Sequence, residues 1–397
     1  MVTSIASRGR IARSGEVLDL VRRGRATTTS ELAEIMGVAR STVTERVDLL
    51  VSHGLLVPAS IMPARRGRPP TVLTFNARAG LTLAAQLGMS GTRVAVTDFD
   101  GTVLWSETVV LDIGHGPDVV LERITSEFGR ALAELGQPRD RVHGVGIGLP
   151  GKVELATAQR TATGSARSWI DYPVAERLEA AGLGPVFVDQ DVNLLALGEH
   201  RASWPSVGVF MFLKVGSVIG CGIVIDGKVV RGVAGLAGEI GHTRAPGRDT
   251  ECACGGRGCL NAVAGGTALA RDLAQAGFDA ATARDVVRLA QDGVVEAGQA
   301  IRAAGRDIGD VLAAAINLLN PGVISVWGYL ADAGDQLFAG IQEQIYSSAV
   351  HGATHLLRLE PSRLGDDAGI RGAAMTVVEH ALLPEAVDRY LLQAHEA

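Results

Sequence analysis

The stretch from Gly238 to Asn261, GEIGHTRAPGRDTECACGGRGCLN, brings one histidine and three cysteines close together in the chain. Cys252, Cys254 and Cys259 lie within eight positions, and His242 precedes the first of them by ten residues. Thiolate sulfur and imidazole nitrogen are the ligands that suit a closed tetrahedral zinc site. Glycines among the last cysteines let the chain turn back sharply, so that all three thiols can meet. The sequence therefore predicts a structural zinc ion held by these four side chains.

A disulfide between two of the cysteines is the alternative to a metal. It requires an oxidising compartment, leaves one cysteine of the cluster over and gives the histidine no part. The N-terminus lacks the apolar core of a signal peptide, and no apolar run reaches the roughly eighteen residues that span a membrane. These features predict a cytoplasmic protein without a membrane partner.

The same stretch is similar to the signature of the ROK family, which contains bacterial sugar kinases and sugar-responsive repressors. Gly-Glu-Ile-Gly-His at 238–242, followed by Cys-x-Cys-Gly-x-x-Gly-Cys at 252–259, carries the resemblance. It implies that His242 and the three cysteines bind zinc, and that Glu239 and His242 contact sugar hydroxyls. Where the family has a further sugar-binding glutamate, this chain has Asn261. The resemblance thus implies a sugar pocket whose preference differs at that position.

Charge is distributed unevenly between the first 78 residues and the rest of the 397-residue chain. Residues 1–78 hold twelve arginines and no lysine against six acidic residues, whereas the remainder holds 25 basic and 37 acidic residues. A small basic segment ahead of a larger acidic body indicates a nucleic-acid-binding module joined to a second domain. Charge thus indicates a DNA-binding domain at 1–78, and the resemblance implies that the second domain, at 79–397, binds sugar.

Three short helices are predicted in the basic segment. The first runs from Gly15 to Gly24, the second starts at a capping box over Thr28–Glu31, and the third covers about 40–53. Short helices joined by a tight, glycine-containing turn are typical of a helix-turn-helix, although a small helical bundle is the alternative. The second helix is expected to bury Leu32, Ile35 and Met36. The third would enter the major groove of DNA with side chains facing away from the core: Arg40, Ser41, Thr42, Thr44, Glu45 and Arg46.

Two predicted strands follow, at Gly54–Val57 and Val72–Phe75, and an arginine-rich segment connects them. Arginines on extended Gly/Pro-containing chain can lie in the minor groove or along phosphates, although a solvated linker is the alternative. The arrangement resembles the winged module of ROK repressors, including its Gly-Arg-Pro element. It predicts contacts with double-stranded operator DNA from Arg65, Arg66 and Arg68. Because palindromic operators need paired recognition helices, we expect a homodimer or homotetramer.

From about Gly80 the sequence has two similar halves. The first contains strands separated by an Asp100-Gly101 turn and a helix over about 117–136. The second repeats the plan with an Asp226-Gly227 turn and a helix near 299–319. Two such halves resemble the duplicated actin-like kinase fold of the family. The predicted fold class is therefore α/β, with a winged helix-turn-helix joined to a two-lobed domain of the hexokinase type.

The segment Val186–Asn193 is an apolar strand that ends in polar residues. Ligands of open α/β sheets bind at the carboxyl ends of strands. The segment resembles the Asn-Asp-x-Asn motif of the family, which places the proton-abstracting base at Asp191 and a sugar contact at Gln190. A helix N-cap is the alternative role of Asp191. By the same resemblance, Ser165–Trp169 borders the sugar.

The motifs that bind ATP in the kinases of the family are altered at three places. Gln86 replaces an aspartate, Val218 replaces a glycine of a phosphate loop, and Trp327 replaces a glycine beside adenosine. Phosphoryl transfer needs backbone amides around phosphates and a metal held by carboxylate. The sequence therefore predicts that the nucleotide half of the cleft is lost while the sugar half is kept.

We accordingly predict a transcriptional regulator, a repressor of carbohydrate-metabolism genes, that binds a sugar or sugar derivative and is not an enzyme. The predicted effector contacts are Gln190, Asp191, Glu239, His242 and Asn261, with Asp191 as a vestigial base. An active sugar kinase with an appended DNA-binding domain is one alternative. A repressor relieved by a protein partner is another.

Overall fold

The computed structural model describes residues 11–59, 71–88, 91–111, 113–151, 169 and 171–396. Its strands are β1 (Leu56–Ala59), β2 (Val72–Phe75), β3 (Leu81–Gly88), β4 (Gly91–Asp98), β5 (Val103–Val109), β6 (Val142–Leu149), β7 (Val186–Gln190), β8 (Val209–Val215), β9 (Ile219–Ile225), β10 (Lys228–Val229), β11 (Val323–Trp327) and β12 (Arg358–Pro361). Its helices are α1 (Ser14–Arg22), α2 (Thr29–Met36), α3 (Arg40–Ser52), α4 (Pro117–Glu134), α5 (Val174–Glu179), α6 (Asp191–Ser203), α7 (Leu260–Val263), α8 (Gly266–Gln275), α9 (Ala283–Gln291), α10 (Val295–Leu319), α11 (Asp335–Ser348), α12 (His351–Thr354), α13 (Asp367–Ala381) and α14 (Pro384–Glu396). Within these ranges, no helix has both the length and the apolar character needed to cross a membrane.

Two five-stranded sheets share one topology. Their strand orders are β5-β4-β3-β6-β7 and β10-β9-β8-β11-β12. In each sheet three antiparallel strands from consecutive hairpins continue into two parallel strands. The predicted Asp-Gly turns are present, with Gly101 at φ 73° and Gly227 at φ 73°, where a side chain would be strained. The shared strand order confirms the predicted two-lobed, duplicated α/β domain.

Helices α6 and α13 cross in close contact between the two sheets. A Cβ atom added at Gly198 of α6 would lie 1.9 Å from the carbonyl oxygen of Ala368. One added at Gly372 of α13 would lie 1.9 Å from the carbonyl oxygen of Leu194. Only glycine permits this approach of two helix backbones. Because α6 begins at Asp191, the contact fixes the position of that carboxylate relative to α13.

The N-terminal module contains α1 to α3 and the antiparallel pair β1 and β2. The predicted capping box is confirmed: the Thr28 hydroxyl accepts from Glu31 N at 3.3 Å, and the Glu31 carboxylate accepts from Thr28 N at 3.0 Å. Two predicted orientations are wrong. Ile35 is 48% exposed, because the eight-residue helix α2 buries only a narrow stripe through Leu32 and Met36.

Arg46 is the second wrong orientation, since its side chain is buried at 6% exposure. It follows Val43 by three positions and precedes Leu50 by four, which places all three on one face of α3. Its Nε and Nη1 atoms have no hydrogen-bond partner among the described residues. A side chain held in this way cannot reach a base edge without rearrangement.

The C-terminal helix α14 completes the core of the N-terminal module. Val387 and Leu391 of α14 are 2% and 0% exposed and pack in the same cluster as Leu18 of α1. The Asp388 carboxylate accepts hydrogen bonds from Arg13 N at 2.8 Å and Gly15 N at 2.7 Å, where α1 begins. Helix α14 therefore holds the start of α1, which no sequence motif predicted.

Candidate ligand cleft and metal centre

His242, Cys252, Cys254 and Cys259 converge in space. One ligand atom from each lies within 4.8 Å of every other. The Sγ atoms of Cys254 and Cys259 are 3.7 Å apart, and Cys252 Sγ is 3.8 Å from His242 Nδ1. Tetrahedral zinc with Zn–S bonds of about 2.3 Å separates two sulfurs by about 3.8 Å, whereas a disulfide requires about 2.05 Å. The four side chains thus have the spacing and chemistry of a metal site, and the cysteines are free thiols.

Backbone contacts form the loop that carries the cluster. Ala245 N donates to the carbonyl of Gly258 at 2.8 Å, and Cys252 N donates to that of Gly256 at 2.9 Å. Outside the cluster, the Arg248 guanidinium donates two hydrogen bonds, at 3.0 and 2.8 Å, to Asp307 of α10. The loop is therefore tied to the second lobe by a bidentate ion pair as well as by its own turns.

Burial shifts the ionisation of several side chains in the cluster. Burial raises the pKa of the Cys259 thiol to about 12, and burial also raises the pKa of Cys252. Burial lowers the pKa of His242, which keeps the imidazole neutral and able to act as a ligand. Buried thiolates need a compensating positive charge, which a divalent metal provides when it displaces the thiol protons.

Glu239 and Gln190 lie together, close in the chain or in space to His242 of the cluster. A short 3-10 turn, Ile240–His242, follows Glu239 directly, and His242 N donates to the Glu239 carbonyl at 3.1 Å. Gln190, at the end of β7, donates to the Gly235 carbonyl at 2.7 Å and to Glu239 Oε1 at 3.5 Å. Burial, followed by the nearby Asp191 charge, raises the pKa of Glu239. The carboxylate of Glu239 and the amide of Gln190 thus meet here, and Glu239 precedes His242 by three residues.

Asn261 lies at the same site, but its oxygen already has a partner. Its Oδ1 accepts from Ile219 N, the first residue of β9, at 2.6 Å. Its Nδ2 lies 3.5 Å from His242 Nε2. The side chain therefore connects His242 of the cluster with the start of β9. From the sequence we predicted only that Asn261 lacks the negative charge of a glutamate. The contacts of its side chain were not predicted.

Asp191 lies at the junction of the two lobes with a partner that sequence reasoning missed. Its Oδ1 accepts from Val192 N at 2.8 Å, and its Oδ2 lies 2.5 Å from Lys214 Nζ. The two side chains are 2% and 15% exposed. Lys214 belongs to β8 of the second sheet, so the ion pair spans the lobes. The N-cap alternative is wrong, because Gln190 is the N-cap of α6 and Asp191 is its first residue.

The nucleotide side of the cleft contains a cavity of about 180 Å³. Gln86 lines it, and its Nε2 donates to the Asp191 carbonyl at 3.3 Å. Its Oε1 is buried without a hydrogen-bond partner among the described residues. The same cavity is bordered by Trp327 and Val218, the two other departures predicted from the sequence. All three altered positions therefore surround a single space.

Basic and acidic side chains alternate around this cavity. Arg93 Nη2 donates to Asp367 Oδ1 at 2.6 Å, which joins β4 to the first residue of α13. Arg284 donates to the Tyr329 hydroxyl at 2.8 Å, and its guanidinium carbon lies 4.6 Å from that ring's centroid. Asp366 also lines the cavity. The start of α13 is thus part of the cavity wall.

The predicted DNA-contacting side chains of α3 differ in exposure. Arg40, Ser41 and Thr44 are exposed and Thr42 is partly exposed, whereas Arg46 is buried as described above. Arg65, Arg66 and Arg68 lie outside the described residues. Residues 165–168, which belong to the segment predicted to border the sugar, also lie outside them. Trp169, the described end of that segment, is buried and donates from Nε1 to the Ile113 carbonyl at 2.9 Å.

Comparisons with known proteins agree on one family. The ROK family profile matches residues 82–380. The xylose repressor of Caldicellulosiruptor bescii is 26% identical over 358 residues, covering 86% of this chain and 90% of that protein. A glucokinase of Halalkalibacterium halodurans is 29% identical over 281 residues, covering 66% of this chain and 84% of that protein. Among solved structures, a ROK family transcriptional regulator, homologous to the Mlc protein of Escherichia coli, has a TM-score of 0.75 at 25% identity. That match covers 97% of this chain and 100% of the other.

Proposed function

The chain belongs to the ROK family, and from that premise we propose that it is a DNA-binding repressor of carbohydrate-metabolism genes, controlled by a sugar in a degenerate kinase cleft. One observation carries the proposal: the Asp191 carboxylate, the base expected of a sugar kinase, is paired with Lys214 at 2.5 Å. Gln190 and Glu239, which are expected to bind hydroxyls, meanwhile remain together.

The paired carboxylate argues against phosphoryl transfer. A general base must reach the proton of the attacking hydroxyl, and a buried ammonium holds one oxygen of Asp191 while Val192 N holds the other. Gln86 cannot supply the negative charge that would hold a metal near the phosphates. We therefore infer that the protein binds its sugar without phosphorylating it.

Zinc has an organising role in this proposal. His242 would bind the ion through Nδ1, the atom that faces Cys252. Its Nε2 would then face the sugar side and Asn261. An ion with four protein ligands has no open coordination position for a substrate. The metal would hold the turn that presents Glu239 and His242, and so make the sugar pocket rigid.

DNA recognition falls to the N-terminal module. We place Arg40, Ser41, Thr42 and Thr44 of α3 in the major groove, with Arg65, Arg66 and Arg68 along the adjacent backbone or minor groove. Arg46 is left out of this set because it is buried. The assembly would be a homodimer or homotetramer that presents two recognition helices, and sugar binding would change their spacing or order.

The test is a titration of operator DNA. A binding sequence is first selected by the full-length protein from a random duplex pool, and its affinity is followed by fluorescence anisotropy. Neutral sugars, sugar phosphates and uronates are then added one class at a time. We expect one class to change the DNA affinity at least about tenfold. If no sugar changes it, while ATP and magnesium give sugar-dependent ADP release, the protein is a kinase and the proposal is wrong.

A further inference from the structure

Helix α3 presents one continuous exposed face. Ser41, Thr44, Glu45 and Asp48 are all exposed, and they follow the i, i+3, i+4, i+7 spacing that brings side chains to one side of a helix. The four buried residues of the helix lie on its opposite side, against the core of the module. The exposed face is therefore the part of α3 that a DNA duplex reaches in the proposed function.

This face carries negative charge. Among the described residues, the carboxylates of Glu45 and Asp48 have no ion pair and no hydrogen bond. Arg46, the neighbour of Glu45 in the chain, does not neutralise it, because the arginine side chain is buried on the other side of the helix. DNA phosphates repel both carboxylates, so each weakens binding to DNA of any sequence. A carboxylate here adds affinity only where a base offers it a hydrogen-bond donor.

Only two of the four bases present a donor in the major groove. Cytosine offers its N4 amino group and adenine its N6 amino group, whereas guanine and thymine offer oxygen or nitrogen acceptors that repel a carboxylate. On adenine the acceptor N7 lies beside the amino group, but cytosine has no acceptor at its major-groove edge. A carboxylate that reaches the bases therefore distinguishes cytosine from the other three.

Glu45 is the carboxylate of this face that lies nearer the start of α3. The N-terminal residues of a recognition helix contact base edges, and Glu45 lies in the second turn. Asp48 has a shorter side chain and lies about 4.5 Å further along the helix axis. The Thr44 hydroxyl donates to the Arg40 carbonyl at 3.0 Å, so its proton is already used within the helix. Glu45 thus has both the position and the unused acceptors that base recognition needs.

We propose that Glu45 determines the base preference of the protein by selecting a cytosine in each half of its operator. The inference rests on the proposed function and names a base that α3 recognises. A carboxylate oxygen of Glu45 accepts a hydrogen bond from the N4 amino group of that cytosine in the major groove. In a two-fold assembly, two copies of Glu45 contact two cytosines at symmetric positions of the operator.

The experiment changes the chemistry of this one side chain in the full-length protein. The original protein and Glu45→Gln each select duplexes from the same random pool, and the base frequencies are compared position by position. A glutamine side chain pairs with N6 and N7 of adenine, so the preferred base at one position of each half-site should change from cytosine to adenine. All other positions should keep their preferences.

Fluorescence anisotropy then measures the size of the change. Four duplexes that differ only in the base pair at the symmetric positions are compared for each protein. The ratio of cytosine to adenine affinity should fall by roughly 5- to 150-fold in Glu45→Gln. Glu45→Ala should bind all four duplexes within about threefold of one another. Each ratio is taken within one protein sample, so a partly unfolded fraction does not alter it.

Asp48→Asn is the matched control. It removes the same charge from the same exposed face, three residues further along α3. Because only phosphate repulsion is lost, affinity should rise by a similar factor for all four duplexes. The base preferences of Asp48→Asn should therefore equal those of the original protein.

The outcomes separate this inference from the proposed function. A change from cytosine to adenine that occurs in Glu45→Gln and not in Asp48→Asn supports the inference. If Glu45→Gln changes no base preference, or if the base that responds is not cytosine, the inference is wrong, while a sugar-sensitive operator complex still supports the proposed function. If the original protein selects no duplex at all, the proposed function and the inference both fail.

Discussion

The two sides of the cleft have diverged in opposite ways. On the side proposed to bind sugar, Glu239 and Gln190 are in contact near the cluster of His242 and three cysteines, which has the spacing of a metal site. On the nucleotide side, Gln86 and Lys214 bond to the backbone and side chain of Asp191 instead of facing a metal and phosphates. On the first side polar groups lie near one another, whereas on the other side they bond to Asp191 and connect elements of the protein.

The nucleotide side of the cleft is also connected to the N-terminal module, through helices α13 and α14. Arg93 is bonded to Asp367, the first residue of α13, and α13 is followed in the chain by α14. Helix α14 packs in the core of the N-terminal helices, where Asp388 receives the first amides of α1. A physical connection therefore runs from the cavity wall to the N-terminal helices.

Of the differences expected between the two sides of the cleft, removal of the proposed metal should produce the largest. With Cys259→Ser, or after chelation, we expect the sugar-dependent change in DNA affinity to weaken by about 100-fold or more, because the turn carrying Glu239 and His242 loses its anchor. DNA affinity without sugar should remain. Cys221→Ala, at a buried thiol outside the cluster, is the control. A Cys259→Ser protein with normal sugar response would show that the cluster is unrelated to the pocket.

A matched pair of substitutions compares the two sides directly. Glu239→Gln removes a charged acceptor and should lower sugar affinity by roughly 10- to 100-fold, as measured by calorimetry. Trp327→Phe, on the nucleotide side, keeps an aromatic ring and should change sugar affinity by no more than about twofold. Equal losses in both variants would mean that the sugar occupies both sides of the cleft.

The connection to the DNA module predicts a smaller effect. Asp388→Ala removes the acceptor for two amides at the start of α1 and should lower the free energy of unfolding by about 1 kcal/mol. Asp388→Asn keeps an oxygen acceptor and should lose less. Denaturant unfolding measures both, and anisotropy shows whether the response of DNA binding to sugar weakens with them. A response that is unchanged in Asp388→Ala would leave α14 with a purely structural role.

The smallest expected effect is a dependence of stability on pH, at the contact between strand β6 and helix α14. His143 packs on Phe99 and Tyr390, with ring centroids 4.8 and 5.6 Å away, and burial, followed by Arg141, lowers its pKa. In the unfolded chain the His143 imidazole therefore binds a proton near pH 6.5, its ordinary pKa, whereas in the folded protein it remains neutral at that pH. Stability should be complete above this pH and fall below it, by no more than about 1 kcal/mol. Unfolding curves recorded across this pH range should show a smaller loss of stability at acid pH for His143→Gln than for the original protein.

Local sequence signals predicted much of the fold. The Asp-Gly turns, the Thr28 capping box and strand β6 over Val142–Leu149 all depend on residues that are neighbours in the chain. The metal cluster was predictable for a related reason, because three of its ligands and the glycines that bend the chain lie within eight positions. Such patterns hold because short-range geometry leaves few alternatives.

Contacts between distant segments were not predictable in this way. Lys214 pairs with Asp191 across two sheets, and Asp388 meets the start of α1 at the other end of the chain. Arg46 has the spacing of a core position but the chemistry of a surface residue, and the chemistry gave the wrong orientation. In each case the contact depends on which segments of the chain pack against each other. The type of a residue does not by itself determine this packing.

By itself, then, the sequence determined the elements, the duplicated plan and the loop that gathers His242 and three cysteines, since hydrogen bonds and turns within a few residues fix them. Only the tertiary structure decided that the Asp191 carboxylate is neutralised by a lysine and that the last helix completes the DNA-binding module. Both follow from packing of segments far apart in the chain, where burial and charge pairing act on groups that no local pattern connects.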